Sequence, residues 1–140
     1  MHQADCIFCK IIKGEIPTQT KIYEDKNTFV FLSNGPLNFG HALVIPYHHY
    51  ESVLELPDEV FCQMAPILKK TALAVKAATE ADGFNITINN GKASGQAIFH
   101  AHFHVIPRYH NDGYKSWEND KKYKAGEDKA MAEKIKSFWD

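Results

Sequence analysis

Three histidines alternate with apolar residues in the last third of the chain, and this pattern constrains the fold most. His100, His102 and His104 occupy every second position in the run from Phe99 to Ile106. Side chains on a β-strand switch face at each residue, whereas residues two apart on a helix do not face each other. The run therefore predicts a strand with three imidazoles on one face and an apolar face against a core. Three unrelated surface histidines are the simpler alternative, which the strict alternation disfavours.

The composition is that of one ordinary globular domain. The 140 residues are 44% hydrophobic and 24% charged, and 16 Lys and Arg against 17 Asp and Glu give a net charge of -1. No global field therefore recruits nucleic acid or an anionic membrane, and we expect neither as a partner. The N-terminus lacks a basic leader, and no apolar run reaches membrane-spanning length. We expect a cytoplasmic protein.

Two cysteines near the start are candidate metal ligands. Cys6 and Cys9 are separated by two residues, a spacing that lets both thiolates reach one tetrahedral ion. A redox pair and two inert core residues are the competing interpretations. His49 follows a predicted strand, and with one histidine of the row it would complete a Cys, Cys, His, His set. Zinc prefers these ligands in closed structural sites.

The remaining pattern predicts an α+β fold: an antiparallel sheet of about five strands with one long helix. A polar turn between 19–24 and 28–32 indicates a hairpin, and the runs 41–46 and 84–89 indicate further strands. Pro57 and the acids after it begin a helix that ends near Gly83, with Cys62 as a small core residue. We expect one domain over 1–140 with a variable tail from about 110, which includes a helix over 126–139.

The loop that leads into the histidine run has two chemical interpretations. Asn90-Gly91 is typical of a hairpin turn, so a plain connection is one of them. Two glycines with free backbone N–H groups, beside the amides of Asn89 and Gln96, would also form a phosphate cradle.

Taken together, the segments 6–9, 40–46, 89–91 and 95–106 resemble the histidine triad (HIT) family of nucleotide hydrolases and transferases. The cysteine pair is similar to that of the zinc-bearing, bacterial-type branch. The resemblance covers the chain from about residue 5 to residue 108. It implies a HIT-like fold and a two-fold homodimer whose sheets join.

The resemblance also implies roles for individual residues. His102 would attack the α-phosphorus of a purine nucleotide and carry the nucleotidyl group covalently, with His104 and Gln96 as the other catalytic residues. The donor would be a nucleoside phosphoramidate, a dinucleoside polyphosphate or a related anhydride. Nucleotide contacts would come from Asn89, Gln96, Ser33, His41 and His104. A structural zinc ion would be held by Cys6, Cys9, His49 and His100.

Three places depart from the family pattern, of which one, Tyr47-His48 in place of the basic residues usual just before the zinc histidine, is neutral for the chemistry. Ser33 stands where the family often has an acidic residue that holds the ribose hydroxyls, and a serine offers only an uncharged hydrogen bond. Ala97 stands where the phosphoramidate-cleaving branch has serine. Without that hydroxyl, an amine leaving group needs another proton donor, which favours a good leaving group such as a mixed anhydride.

The sequence is also compatible with two other functions. A nucleotide-binding regulatory module with incidental turnover is the main alternative, and a catalytic metal held by the three alternating histidines is another. The tail after Tyr109 interleaves aromatic residues with lysines, and packing on its own domain or a neighbour is favoured over nucleic-acid binding. Since the C-terminal part of this family often reaches the substrate site of a dimer, Trp117 is a specificity candidate. Arg108 is interpreted as an exposed arginine that ends a strand.

Overall fold

The computed structural model describes residues 2–139. Five strands and three α-helices follow one another along the chain, with short 3-10 turns at Val53–Glu55 and Lys92–Ser94. In chain order the elements are α1 (Ile7–Ile12), β1 (Lys21–Glu24), β2 (Thr28–Leu32), β3 (Ala42–Pro46), α2 (Asp58–Thr79), β4 (Gly83–Ile88), β5 (Phe103–Arg108) and α3 (Glu127–Lys136).

The strands form one antiparallel sheet in the order β1-β2-β3-β5-β4. The predicted α+β class, with about five antiparallel strands and one long helix, is therefore confirmed. β3 is buried along its whole length, and β5 lies between β3 and β4. The strand that carries His104 is consequently an interior strand, held by ladders on both sides.

The long helix α2 covers one face of the sheet. Its buried residues are Met64, Thr71, Ala72 and Val75, which recur at helical spacing and pack with apolar side chains of β2, β3 and β5. The prediction that Cys62 is a core residue is wrong, since its side chain is exposed. Two helical positions span about 200°, so a residue two places before Met64 points away from the buried stripe.

The short helix α1 covers the opposite face. Phe8, Cys9 and Ile12 are buried there and pack with Phe29, Phe31, Leu43 and Ile45 of the sheet. A six-residue helix is far too short to be stable alone, so this packing and its side-chain contacts hold it in place. The histidine face of β5 looks toward this layer.

The alternation of faces is confirmed, but the strand is shorter than predicted. Ala101 and Phe103 belong to the core under α2, while His100 and His102 both contact the Phe8 ring on the other side. β5 begins only at Phe103. The backbone before it has other partners: the Ala101 amide donates to the Tyr50 carbonyl at 2.7 Å, and the His100 carbonyl accepts from a side chain.

The tail makes few contacts with the rest of the chain. Tyr114 is its anchor, with its hydroxyl donating to the Leu37 carbonyl at 2.9 Å. Beyond it, every residue of α3 is exposed, including Met131 and Ile135 on its apolar side. Trp117 is 94% exposed and lies outside every pocket described below. Within residues 2–139, no helix has both the length and the apolarity needed to cross a bilayer.

Candidate active site

Four sulfur and nitrogen ligands converge where α1 meets the sheet. Cys6 precedes α1, Cys9 lies within it, His49 follows β3 and His100 precedes β5. Their ligand atoms all lie within 4.8 Å of one another. The His100 Nδ1 is 3.4 Å from the Cys6 Sγ and 3.6 Å from the Cys9 Sγ, and the His49 Nδ1 is 3.5 Å from the Cys9 Sγ.

These separations fit a tetrahedral ion. Bonds of about 2.3 Å to sulfur and about 2.0 Å to nitrogen place the ligand atoms of one tetrahedral ion roughly 3.3–3.8 Å apart. Three of the four side chains are buried and His49 is half-buried, so the site is closed. The four predicted metal ligands are thus brought together in a cluster that could hold a metal ion.

A backbone carbonyl fixes the tautomer of His100. Its Nε2 lies 2.9 Å from the Pro46 carbonyl oxygen, which can only accept, so Nε2 carries the proton. The Nδ1 lone pair then faces the two sulfur atoms. Burial lowers the pKa of His100 to about 4, with neighbouring histidines adding to the effect, so the ring is a neutral ligand. A polar partner on the second nitrogen is typical of metal-binding histidines.

A second carbonyl fixes the tautomer of His102. Its Nδ1 lies 2.6 Å from the His100 carbonyl oxygen, so Nδ1 donates and the Nε2 lone pair is free. The ring packs edge-on against Phe8, with centroids 5.3 Å apart, and only 6% of the residue is exposed. Burial lowers the pKa of His102 below its usual 6.5, which keeps the ring neutral at neutral pH.

The third histidine is oriented by His41. The His41 Nδ1 accepts the Leu37 amide proton at 3.2 Å, so its Nε2 carries a proton and donates to the His104 Nδ1 at 2.9 Å. In neutral His104 the remaining nitrogen, Nε2, must then carry the proton. Burial lowers the pKa of His104 to about 4, and the charges of His102 and His41 add to the shift. His104 is therefore a neutral hydrogen-bond donor.

The loop that positions His41 is held at both ends. Gly40 has a φ of +95°, and a Cβ there would lie 2.5 Å from the Thr79 side chain, so only glycine fits. The Asn38 amide donates to the Pro107 carbonyl and to Asp112. Asp112 also pairs with Arg108 at 2.7 Å, and this guanidinium holds the pKa of Asp112 well below its usual range.

The environment of Arg108 differs from the predicted one, an exposed arginine at the end of a strand. Arg108 ends β5 as expected, but its guanidinium is engaged by Asp112, Asn85 and the Tyr114 carbonyl. Sequence reasoning missed this cluster because Asp112 lies in the polar stretch that was assigned to the tail. The approach of Arg108 to a carboxylate four residues later in a loop has no sequence signature.

His102 and His104 both line a pocket of about 390 Å³ between α1 and the sheet. One part of its wall is apolar and includes Ile7, Phe8, Ile11, Ile16 and Phe31. The polar part, apart from the two histidines, consists of Thr18, Thr20, Ser33 and Asn34. Sequence reasoning placed His102, His104 and Ser33 in one site, and the structure brings them together. Sequence reasoning did not identify Phe8 as a pocket residue, although its position between the two candidate metal ligands Cys6 and Cys9 could have indicated that it lies near the site.

Gln96 and Asn89 do not line this pocket. The Gln96 side chain is buried; it accepts the Gly91 amide proton at 2.7 Å and donates to the carbonyls of Glu51 and Ile98. Its amide thus holds the 89–97 loop closed. Asn89 is half-buried, and its side-chain amide lies 3.5 Å from the Gly95 carbonyl at the same loop. In this conformation the pair shape the loop and do not face the histidines' pocket.

His100 belongs to the Cys/His cluster, whereas His102 and His104 do not. Among residues 2–139, His100 groups with the two cysteines and His49. The Nδ1 atoms of His102 and His104 have hydrogen-bond partners of their own. The structure therefore separates a ligand histidine from two pocket histidines, an arrangement unlike three ligands of one catalytic metal.

Comparisons with known proteins agree on one family. The HIT domain model matches residues 13–111. An uncharacterized HIT-like protein of Methanocaldococcus jannaschii is 49% identical over 77% of this chain and 82% of its own length. An adenylylsulfatase of Arabidopsis thaliana is 46% identical over 79% of this chain, which spans 55% of that protein. An adenosine 5′-monophosphoramidase of Candida albicans is 40% identical over 75% of this chain and 71% of its own length.

Solved structures give the same answer. A HIT family protein from Bacillus subtilis superposes with a TM-score of 0.88 at 39% identity and covers 95% of this chain and 96% of its own. A Zn-bound histidine triad family protein from Mycobacterium smegmatis has a TM-score of 0.73 at 35% identity, with 95% and 97% of the two chains covered. The alternating histidines, the Cys/His cluster and the five-stranded sheet thus have one common explanation, and the chain belongs to the HIT family.

Proposed function

We propose that this chain is a nucleotide hydrolase or nucleotidyl transferase that cleaves its donor at the α-phosphate through a covalent nucleotidyl-histidine. The observation that carries the proposal is the free Nε2 lone pair of His102 at the pocket, which follows from the Nδ1–H bond to the His100 carbonyl. A neutral imidazole with its other nitrogen held by an acceptor is the form that attacks phosphorus.

Two displacements complete the reaction. In the first, the His102 Nε2 forms a bond to the α-phosphorus, and the bond from phosphorus to the leaving group breaks. In the second, water attacks the same phosphorus, the N–P bond breaks, and a nucleoside monophosphate leaves together with the proton that the water gives up. An acceptor other than water would make the second step a transfer.

His104 stabilises the phosphoryl oxygens in this mechanism. The chain of hydrogen bonds from the Leu37 amide through His41 leaves a proton on the His104 Nε2. The two rings, His102 and His104, lie edge to face with centroids 4.9 Å apart, so a group bonded to one is within reach of the other. Because this N–H group is oriented before the reaction begins, it needs no reorganisation as negative charge develops on the phosphoryl oxygens.

The relatives and the wall of the pocket support a class of donor. An adenylylsulfatase and an adenosine 5′-monophosphoramidase are among the similar proteins, so we propose an adenine or other purine nucleotide. The apolar wall formed by Ile7, Phe8 and Ile11 suits a stacked or packed base. Ala97 also lines the pocket and offers no hydroxyl to protonate an amine. Among phosphoramidates, dinucleoside polyphosphates and mixed anhydrides, we therefore favour donors whose leaving group departs unprotonated.

We propose zinc for the Cys/His cluster. Two thiolates and two imidazoles in a closed tetrahedral arrangement are typical of structural zinc, and a histidine triad relative is Zn-bound. The bound ion would supply a cross-link between α1 and the sheet. Cys6, Cys9 and His49 would hold it with His100, which is two residues from His102. The cysteines must be reduced to bind metal, which agrees with the expected cytoplasmic location.

We also propose that the partner is a second copy of the chain, through the free edge of β4. Phe84 and Ile86 of β4 are each 40% exposed, and with Phe61, Leu68 and Leu73 they line an open apolar groove beside α2. An unpaired strand edge next to an apolar groove favours continuation of the sheet into a neighbour. This arrangement would join the two sheets.

The alternative of a nucleotide-binding module keeps one supporting observation. Among the side chains that line the pocket, Ala97 offers no hydroxyl to protonate a leaving group and Ser33 offers the sugar only an uncharged hydrogen bond, so a bound nucleotide would find few groups that favour its turnover. A binding module would hold a nucleoside monophosphate well and turn over every donor slowly. Steady-state kinetics over a phosphoramidate, a dinucleoside polyphosphate and an acyl adenylate decides between the two.

The test of the proposed function compares two histidine substitutions. His102→Ala removes the nucleophile, and we expect loss of turnover by about 10³-fold or more. His110→Ala is the matched control, because His110 is exposed and lies outside the pocket. Equal turnover by His102→Ala and the control, with both variants folded, would contradict the proposal.

A further inference from the structure

The pocket of His102 and His104 contains no charged side chain. Among its lining residues there is no Asp, Glu, Lys or Arg. The polar groups that remain are the hydroxyls of Thr18, Thr20 and Ser33 and the amide of Asn34. Any hydroxyl group of a substrate that binds here therefore meets no carboxylate among the lining side chains.

Ser33 lies close to the histidines through its backbone. Its amide donates to the His41 carbonyl at 2.9 Å, and the His41 side chain in turn donates to His104. If the α-phosphate occupies the two pocket histidines and the base occupies the apolar wall, the sugar lies between them. Ser33 belongs to the polar part of the wall of that same pocket.

The hydroxyls near the sugar already have partners. The Ser33 Oγ accepts the Gly35 amide proton at 3.3 Å. The Thr18 and Thr20 hydroxyls share a hydrogen bond of 3.0 Å, and the Thr20 amide donates to the Thr18 Oγ1. Each hydroxyl can still form a further hydrogen bond, but a sugar hydroxyl would gain only a hydrogen bond to an uncharged group. A neutral hydrogen bond changes an equilibrium by roughly tenfold or less, whereas one to a carboxylate changes it by about 10- to 150-fold.

Building on the proposed function, we propose that the pocket recognises the sugar without a charged acceptor and accepts donors that lack the 2′-hydroxyl nearly as well as ribonucleotide donors. The proposed substrate class therefore includes 2′-deoxyribonucleotides as well as ribonucleotides. Ser33 is the residue that sets this breadth, since it is the polar side chain tied by its backbone to the catalytic histidines.

Two paired measurements test the proposal. The ratio of kcat/KM for an acyl adenylate to that for the matching acyl 2′-deoxyadenylate should be about ten or less. The ratio of dissociation constants for dAMP and AMP, measured by calorimetry, should be similarly small. A clearly larger ratio in either measurement would overturn the inference. Protein that binds both monophosphates equally but turns over neither donor would contradict the proposed hydrolysis and still support the neutral sugar site.

A charge introduced at Ser33 gives the converse test. Ser33→Asp supplies a carboxylate for the sugar hydroxyls and should raise the ribo-to-deoxy ratio about tenfold or more, with the gain confined to the ribonucleotide. Ser33→Asn introduces a side chain of nearly the same size as aspartate but without the charge, and it should leave the ribo-to-deoxy ratio near its original value. A ratio that is unchanged by Ser33→Asp, or raised equally by Ser33→Asn, would overturn the role given to Ser33.

Discussion

At the scale of single residues, backbone groups decide what each histidine of the row can do. The Pro46 carbonyl turns the lone pair of His100 toward the cysteines, and the His100 carbonyl frees the His102 Nε2. The Leu37 amide acts on His104 through His41. One ligand, one lone pair and one N–H donor thus arise from three chemically identical side chains.

The neutrality of His102 leads to a prediction for the pH dependence. Burial lowers its pKa below 6.5, and only the neutral ring attacks, so kcat/KM should level off on the alkaline side and should fall as the pH drops through a pKa that lies below 6.5. A pH profile of kcat/KM measures this, and an acid inflection above pH 6.5 would show that His102 is not the titrating nucleophile.

The role of His41 gives a second prediction at this scale. His41→Ala removes the donor to the His104 Nδ1 and should lower kcat/KM by about 10- to 100-fold. Nitrogen-15 shifts of His104 should change from one protonated Nε2 to a mixture of tautomers. His41→Gln offers a side-chain N–H at a similar reach and should restore part of the activity. An unchanged His104 tautomer in His41→Ala would contradict the proposed hydrogen-bond chain.

At the scale of elements, the sequence predicted the helices and strands in which the pattern of apolar residues matches the pattern of buried residues. The hairpin, the buried strand β3 and the buried stripe of α2 each carry a regular apolar pattern. The start of β5 could not be predicted, because the backbone before Phe103 hydrogen-bonds to Tyr50 and to a side chain instead of to a neighbouring strand. Sequence pattern reports which face is apolar and does not report which backbone group is the partner.

The 89–97 loop illustrates the same limit for a side chain. Gln96 looked like a ligand for a phosphate, but its amide satisfies one backbone N–H and two carbonyls of the loop and of the segment before α2. A buried loop needs partners for its backbone groups, and a long amide side chain serves this need as well as it serves a substrate. Only coordinates distinguish the two uses.

The Cys/His cluster leads to a prediction for α1. With six residues, α1 depends on its anchors, and it forms one wall of the pocket. Cys9→Ser should lower the zinc content to well under one equivalent per chain and lower Tm by at least about 5 °C. Metal analysis and thermal unfolding provide the two readouts.

Cys62→Ser is the control for that measurement. Cys62 is exposed on α2, away from the cluster, so the substitution should change neither the zinc content nor Tm. Wild-type protein that contains less than half an equivalent of zinc after expression with zinc, or a Cys9→Ser variant as stable as the control, would contradict the four-ligand site.

At the scale of the whole molecule, two of the apolar surfaces that residues 2–139 leave exposed bear on assembly. One is the groove between α2 and β4, and the other is the exposed apolar side of α3 in the tail. A monomer rarely leaves two such surfaces in water. The sequence indicated the amphipathic character of α3, but its pattern could not show which molecule covers that helix.

The proposed dimer gives a prediction at this scale. Ile86→Asp places a charge in the groove beside the free edge of β4 and should convert a dimer into a monomer in sedimentation velocity. Leu54→Asp is the control, since Leu54 is 88% exposed and lies outside the groove. A wild-type protein that is monomeric at micromolar concentration, or an Ile86→Asp variant that stays dimeric, would contradict the interface.

The central claim is that the lone pair of His102 Nε2 attacks the donor at its α-phosphorus. The direct measurement is intact-protein mass spectrometry after a rapid acid-free quench of enzyme mixed with an acyl adenylate, followed by peptide mapping. We expect a mass increase of one adenylyl group, located on His102 and absent from His102→Ala. Turnover without any covalent adduct under single-turnover conditions, or an adduct on another residue, would contradict it.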